Sequence, residues 1–186
     1  GQQLAPEEAE KIRFTLSAIT LRGNNVFSEA DLGDLYQQYM GKEVSLGVIY
    51  QIADAITARY RNAGYMLARA AVPAQRVENG IVQIMVFEGR IASASFEGIA
   101  PGKSRQLDAY LKKITDSVPL KADVLERYVL LMNDLPGVTA KAVLVPSFET
   151  EGASDLVMQI TRDPWDAALS IDNRGTHSVG PIQAAV

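Results

Sequence analysis

Ser45-Leu46-Gly47-Val48-Ile49-Tyr50-Gln51-Ile52-Ala53-Asp54-Ala55-Ile56-Thr57-Ala58-Arg59-Tyr60-Arg61-Asn62-Ala63-Gly64-Tyr65, running on to Val72-Pro73, decides the fold. Ile49, Ile52, Ala53, Ile56 and Tyr60 recur at the i, i+3, i+4, i+7 spacing of a helix with one buried face. Ser45 supplies its N-cap and Gly64 its end. Tyr65 to Val72 then reads as a strand. Pro73 places that strand at a sheet edge, because proline has no N–H to give a ladder.

The same order returns about 74 residues later, the mark of a duplicated unit. Val118-Pro119-Leu120 answers Val44-Ser45-Leu46, and Pro136-Gly137-Val138 answers Ala63-Gly64-Tyr65. Val145-Pro146 answers Val72-Pro73, and Gly98 answers Gly23. Four anchors in unbroken order mean two modules in series with small loop changes.

Working outward, Ile12, Phe14 and Leu16 alternate with polar residues, then the phase slips to Ile19 and Leu21, as across a mid-strand bulge. Gly23-Asn24-Asn25 ends that strand. Ser28-Glu29-Ala30-Asp31 is a capping box that starts a helix, with Leu32, Leu35, Tyr36 and Tyr39 on one face and Gly41 as its stop. Ile81 to Phe87 is a further strand, entered through the turn Glu78-Asn79-Gly80. The second module has a strand over 90–97, a helix carrying Leu107, Tyr110, Leu111 and Ile114, and a helix from Lys121 to Leu135. Its closing strands lie near 138–145 and 155–161, with Glu151-Gly152 between them.

The expected fold class is therefore α+β: two tandem β-α-α-β-β modules, each a three-stranded sheet with two helices on one face. The last strand of each module is central and the proline-bearing strand lies at an edge. The boundaries are an N-terminal linker at 1–11, a first module at 12–88, a second at 89–163 and a separate segment at 164–186. In that last segment Trp165, Ala167, Leu169 and Ile171 alternate with polar or small residues before Asn173-Arg174-Gly175. This pattern suits either an extra strand or the first strand of a membrane barrel.

Composition excludes several functions. A net charge of −4 and a pI near 5.1 oppose a phosphate-backbone binder, which needs a clustered basic face, so no nucleic acid is expected. Arg59, Arg61, Arg69 and Arg76 read as solvated helix and strand edges. With no cysteine there is no disulfide or thiolate metal site. His177 is the only histidine, and no carboxylates cluster at ligand spacing, so neither metal nor cofactor is expected. No apolar pocket surrounds His177 to support a triad, and no Gly-x-Gly phosphate loop is present. The chain reads as a non-enzyme. No apolar run reaches the ~18 residues of a membrane helix, and Gly1-Gln2-Gln3 reads as a processed or engineered start.

Tyr60-Arg61-Asn62-Ala63-Gly64-Tyr65, Arg69, Val72-Pro73-Ala74-Gln75, Gly80 and Phe87-Glu88-Gly89 resemble the first POTRA (polypeptide-transport-associated) module of two-partner secretion transporters, the hemolysin-activator and filamentous-haemagglutinin type. Leu125-Glu126-Arg127, Leu131 to Val138, Pro146, Gly152 and Asp155-Leu156 resemble their second module. Asp172-Asn173-Arg174-Gly175 with Gly180 resembles the start of the barrel that follows. Ser147 departs from the glycine often found there. The resemblance implies that 164–186 begins a transmembrane barrel, its first strand and turn, with the remainder expected beyond Val186.

It also implies a place at the periplasmic face of the outer membrane of a Gram-negative bacterium. The implied partner is a secreted exoprotein, held unfolded or extended and passed to the barrel pore without ATP or cofactor. Strand addition to an exposed edge supplies a mechanism. The expected contacts are Tyr65, Met66, Leu67, Ala68, Arg69, Ala70, Ala71 and Val72, with Tyr60 in the adjoining groove. A barrel-assembly insertase and an envelope scaffold are the alternatives. The tail strand is expected to pair with an edge of the second module or of a neighbouring copy, giving a strand-mediated dimer.

Overall fold

The protein is seen in a computed structural model that describes residues 6–99, 104–162, 170–172 and 183–185. The elements of the first half are helix α1 (Pro6–Ala9), strands β1 (Arg13–Thr15) and β2 (Ala18–Arg22), helix α2 (Glu29–Gly33), strand β3 (Glu43–Ser45), helix α3 (Leu46–Asn62), and strands β4 (Arg69–Ala71) and β5 (Ile81–Phe87). The second half adds strand β6 (Arg90–Glu97), helices α4 (Arg105–Thr115) and α5 (Ala122–Asn133), and strands β7 (Val138–Pro146) and β8 (Ala153–Arg162). Two short strands follow, β9 (Ser170–Asp172) and β10 (Gln183–Ala185).

The two halves share a topology. The sheets run β2-β5-β4 and β6-β8-β7, each with its last strand central. In both, the first strand lies parallel to that centre, and the other edge strand, which ends at Pro146 in β7 and two residues before Pro73 in β4, lies antiparallel to it. Proline's missing donor explains the edge positions. Alternation along β5 sends Val82, Ile84 and Val86 inward, where they meet the α3 stripe of Ile49, Ile52, Ala53, Ile56 and Tyr60 in one core. A second core gathers Ile91, Leu107, Ile114, Leu125, Met132, Leu156, Met158 and Ile160. Each such aliphatic side chain contributes about 1.5–3 kcal/mol by leaving water.

Caps sit where the polar residues predict. Ser28 and Asp31 form the reciprocal capping box of α2, and the Ser45 hydroxyl accepts from the Val48 N–H at the start of α3.

The N-terminal stretch differs from expectation. Instead of one bulged strand over 12–21, β1 pairs with β3 while β2 pairs with β5. The chain changes sheets at Leu16 and Ser17. The Leu16 N–H donates to the Lys42 carbonyl and the Ser17 N–H to the Gly80 carbonyl. Gly80 has φ +73, and a side chain there would strike the Thr15 carbonyl and Ser17, so the crossing requires glycine. The 1–11 linker is helical in part, with Ala9 of α1 fully buried.

The edge strand is shorter than expected. Of Tyr65 to Val72 only Arg69–Ala71 is strand, because the Tyr65 N–H donates back to the Tyr60 carbonyl and the Ala68 N–H to the Tyr65 carbonyl, making a turn. At the far end, β9 pairs antiparallel with β10. The described tail strand thus finds its partner within the tail, not at an edge of the second module. Trp165, Leu169 and His177 lie outside the described residues.

Candidate functional site

A cleft of about 930 Å³ runs beside β4, walled by Asp54, Thr57 and Arg61 of α3, by residues 69–75, and by Gln83, Met85, Phe87 and Glu151. Of the expected contact residues Arg69, Ala70, Ala71 and Val72 line it, and burial divides the whole set. Tyr60 and Ala68 are fully buried, and Ala70 is nearly so. Met66 and Arg69 are exposed, and Tyr65, Leu67, Ala71 and Val72 are half-buried.

Tyr60 belongs to the core and cannot touch a partner. Its ring meets Phe27 edge-on, centroids 4.8 Å apart, and its hydroxyl donates to Glu88 Oε1 at 2.9 Å. Burial, then the Glu88 carboxylate, push the phenol well above its ordinary range. Glu88 also accepts from the Val26 N–H at 2.6 Å and from Asn25 Nδ2 at 3.3 Å. One carboxylate thereby ties the loop after β2 to α3 at the end of β5.

Backbone bonding defines what the edge of β4 offers. Arg69, Ala70 and Ala71 face Phe87, Val86 and Met85. In an antiparallel ladder alternate residues turn their N–H and C=O outward. Ala70 is the outward one, and its N–H donates to Thr57 Oγ1 at 2.9 Å. Thr57 in turn donates to the Ala53 carbonyl. Past β4, Pro73 cannot continue the ladder, and Gln75 continues it through its side chain. The Gln83 N–H donates to Gln75 Oε1 at 2.8 Å, and Gln75 Nε2 donates to the Gln83 carbonyl at 2.7 Å.

The second module presents a longer edge. β7 pairs with β8 over nine residues, from Val138↔Arg162 to Pro146↔Ser154. Ala140 turns outward and bonds to Asn133 through both backbone groups. The same alternation turns Ala142 and Leu144 outward. Among the described residues no group bonds to their outward N–H and C=O. On the solvent face Val143 and Val145 are 37% and 40% exposed. The edge residues expected from the sequence lie in the first module, and Val145-Pro146 carries the same edge signal on a longer strand.

The halves are also joined. Only Glu88 and Gly89 separate β5 from β6. The Ala122 N–H donates to the Gly64 carbonyl at 2.8 Å and the Leu120 N–H to the Gly89 carbonyl at 3.0 Å. Leu67 packs against the second core, and Lys121 Nζ lies 5.8 Å from the centre of the Tyr65 ring. Among the described residues no helix is long and apolar enough to cross a membrane, and no three metal-ligating side chains cluster.

Comparison with known proteins gives this geometry a context. Residues 14–89 match the POTRA domain of the ShlB type. The heme/hemopexin transporter protein HuxB of Haemophilus influenzae is 27% identical over 95% of this chain and 32% of its own length. The solved structure of CdiB from Escherichia coli superposes with a TM-score of 0.71 at 26% identity, covering 92% of this chain and 32% of that one. The N-terminal domain of Omp85 from Thermosynechococcus elongatus, 18% identical with a TM-score of 0.64, covers 80% of this chain and 66% of its own and shares the fold. The chain spans about a third of the length of the curated relatives it matches.

Proposed function

Residues 14–89 are a POTRA domain within the POTRA region of an outer-membrane transporter of the two-partner secretion type, and from that premise we propose that this chain receives a secreted polypeptide in extended form by adding it as a strand to an open sheet edge. POTRA domains of such transporters lie in the periplasm, at the outer membrane of Gram-negative bacteria. The relatives are transporters, and the exoprotein is this chain's counterpart to their cargo. A barrel following the second module is the exit route.

The observation that carries the reading is the edge of β7, where Ala142 and Leu144 offer two donors and two acceptors with no described partner. An extended chain satisfies all four, whatever its side chains. Val143 and Val145 lie beside its path and add apolar contact. The accessible part of the β4 cleft, Arg69, Ala71 and Val72, forms a second, shorter contact.

Magnitudes make this contact weak by design. Four backbone hydrogen bonds at about 1 kcal/mol each fall at or below the ~4–15 kcal/mol that association costs. Affinity then depends on apolar contact and on both modules acting together. Weak, repeated contacts suit a carrier that must release its cargo. The test is Ala142→Pro in the full-length transporter, which removes an outward donor while sparing the ladder to β8. Secretion of the exoprotein falls about tenfold, with unchanged transporter in the membrane. Undiminished secretion would overturn the reading.

A further inference from the structure

The Asn133 side chain behaves as a short piece of strand. Ala140 N–H donates to Asn133 Oδ1 at 2.9 Å, and Asn133 Nδ2 donates to the Ala140 carbonyl at 3.0 Å. One amide group therefore makes the pair of bonds that a neighbouring strand residue would make. The second proton of Nδ2 goes to the Val129 carbonyl at 2.8 Å, which fixes the amide in this orientation. All its donors and one acceptor position are used.

Thr57 does half of this in the first module, taking the Ala70 N–H at 2.9 Å while its own hydroxyl is held by the Ala53 carbonyl at 2.9 Å. The parallel is geometric. Ala70 and Ala140 are both buried against their helices, and in both strands the helix-facing residue is the one whose backbone points outward. A polar side chain on the covering helix can therefore reach it in either module.

We propose that Asn133 and Thr57 are register stops, positioning residues that decide which part of each edge an incoming strand can use. In the second module Asn133 closes Ala140, so an extended segment pairs with Ala142 and Leu144 and ends there. In the first, Thr57 closes the only outward N–H within β4 and leaves the Ala70 carbonyl. The second module thus becomes the principal docking edge. An added strand that ran on past Ala142 would have to displace a residue already making three hydrogen bonds. This inference rests on the strand-addition reading.

The experiment uses the whole 186-residue chain with nitrogen-15 labelling, and a nine-residue capped peptide alternating valine with threonine, with terminal lysines, as probe. Amide exchange is measured with and without peptide, for wild type, Asn133→Ala and Thr57→Val. Without peptide, Asn133→Ala speeds exchange at Ala140 about tenfold or more, and Thr57→Val does so at Ala70. With peptide, wild type gains protection at Ala142 and Leu144 and none at Ala140. In Asn133→Ala the protection extends to Ala140 and affinity rises about threefold to tenfold, the added bonds being offset by ordering of the chain.

Protection of Ala140 in wild type together with Ala142 and Leu144 overturns the stop and leaves strand addition standing. So does a footprint that Asn133→Ala leaves unchanged. If no amide of β4 or β7 responds to peptide in any variant, the strand-addition reading fails and the stop fails with it. Should Asn133→Ala not fold, Thr57→Val decides the question at Ala70, where peptide protection appears in the variant and not in wild type if the stop is real.

Discussion

The Tyr60 hydroxyl donates to Glu88 Oε1 across 2.9 Å, linking the last turn of α3 to the two-residue joint between the sheets. Tyr60→Phe keeps the ring packing on Phe27 and removes this bond, leaving Glu88 its bonds to Val26 and Asn25. Stability falls by about 1 kcal/mol, read as a lowered denaturation midpoint at unchanged slope.

The same pair sets an alkaline limit. The folded phenol is held above its ordinary value of 10.0 by burial and by Glu88, so above about pH 10 the unfolded chain releases a proton that the folded chain keeps. Stability is whole below that pH and declines as pH rises beyond it. Urea titrations at pH 9 and 11 show the decline in wild type and a smaller one in Tyr60→Phe. Equal declines would remove Tyr60 from the account.

Leu67 crosses from the first module to the second core, and the Ala122–Gly64 and Leu120–Gly89 bonds hold the same joint. The modules therefore keep a narrow range of mutual orientations, and small-angle scattering of wild type fits one conformer. Leu67→Ala costs about 1–2 kcal/mol in lost burial and broadens the scattering profile toward extended forms. A freely jointed wild type would contradict the bracing.

Proline placed along β7 distinguishes its two sides. Ala142 points its N–H away from β8, so Ala142→Pro folds with little loss and blocks strand addition. Val143 points its N–H toward β8, so Val143→Pro breaks a ladder bond and costs about 3 kcal/mol or more. Circular dichroism melts of the two variants read the difference.

Much of this was legible in the sequence, for physical reasons. The stripe Ile49, Ile52, Ala53, Ile56 and Tyr60 spans several turns, long enough for its period to be unambiguous, and all five are buried. Pro73 and Pro146 marked edges because a missing donor has only one tolerable place in a sheet. Three-residue strands such as β1 and β3 carry too few residues for a period, so the chain's change of sheet at Leu16 passed for a bulge. Tyr65 to Ala68 are apolar throughout, as a buried strand is, but turn through the Tyr65–Tyr60 and Ala68–Tyr65 backbone bonds. Thr57 and Asn133 gave no signal at all. A polar residue on a helix reads as solvated, and only the register of the neighbouring strand shows what its side chain replaces.

Strand addition leaves a backbone signature that side-chain docking lacks, and intermolecular nuclear Overhauser effects read it directly. With the valine–threonine peptide bound antiparallel to β7, the α-proton of Val143 lies opposite a peptide α-proton in a close, non-hydrogen-bonded pair. Strand addition predicts a strong Overhauser effect between these two α-protons, together with slowed exchange at Ala142 and Leu144. Effects confined to side chains such as the exposed Leu130 of α5, with none between α-protons along β7, would contradict it.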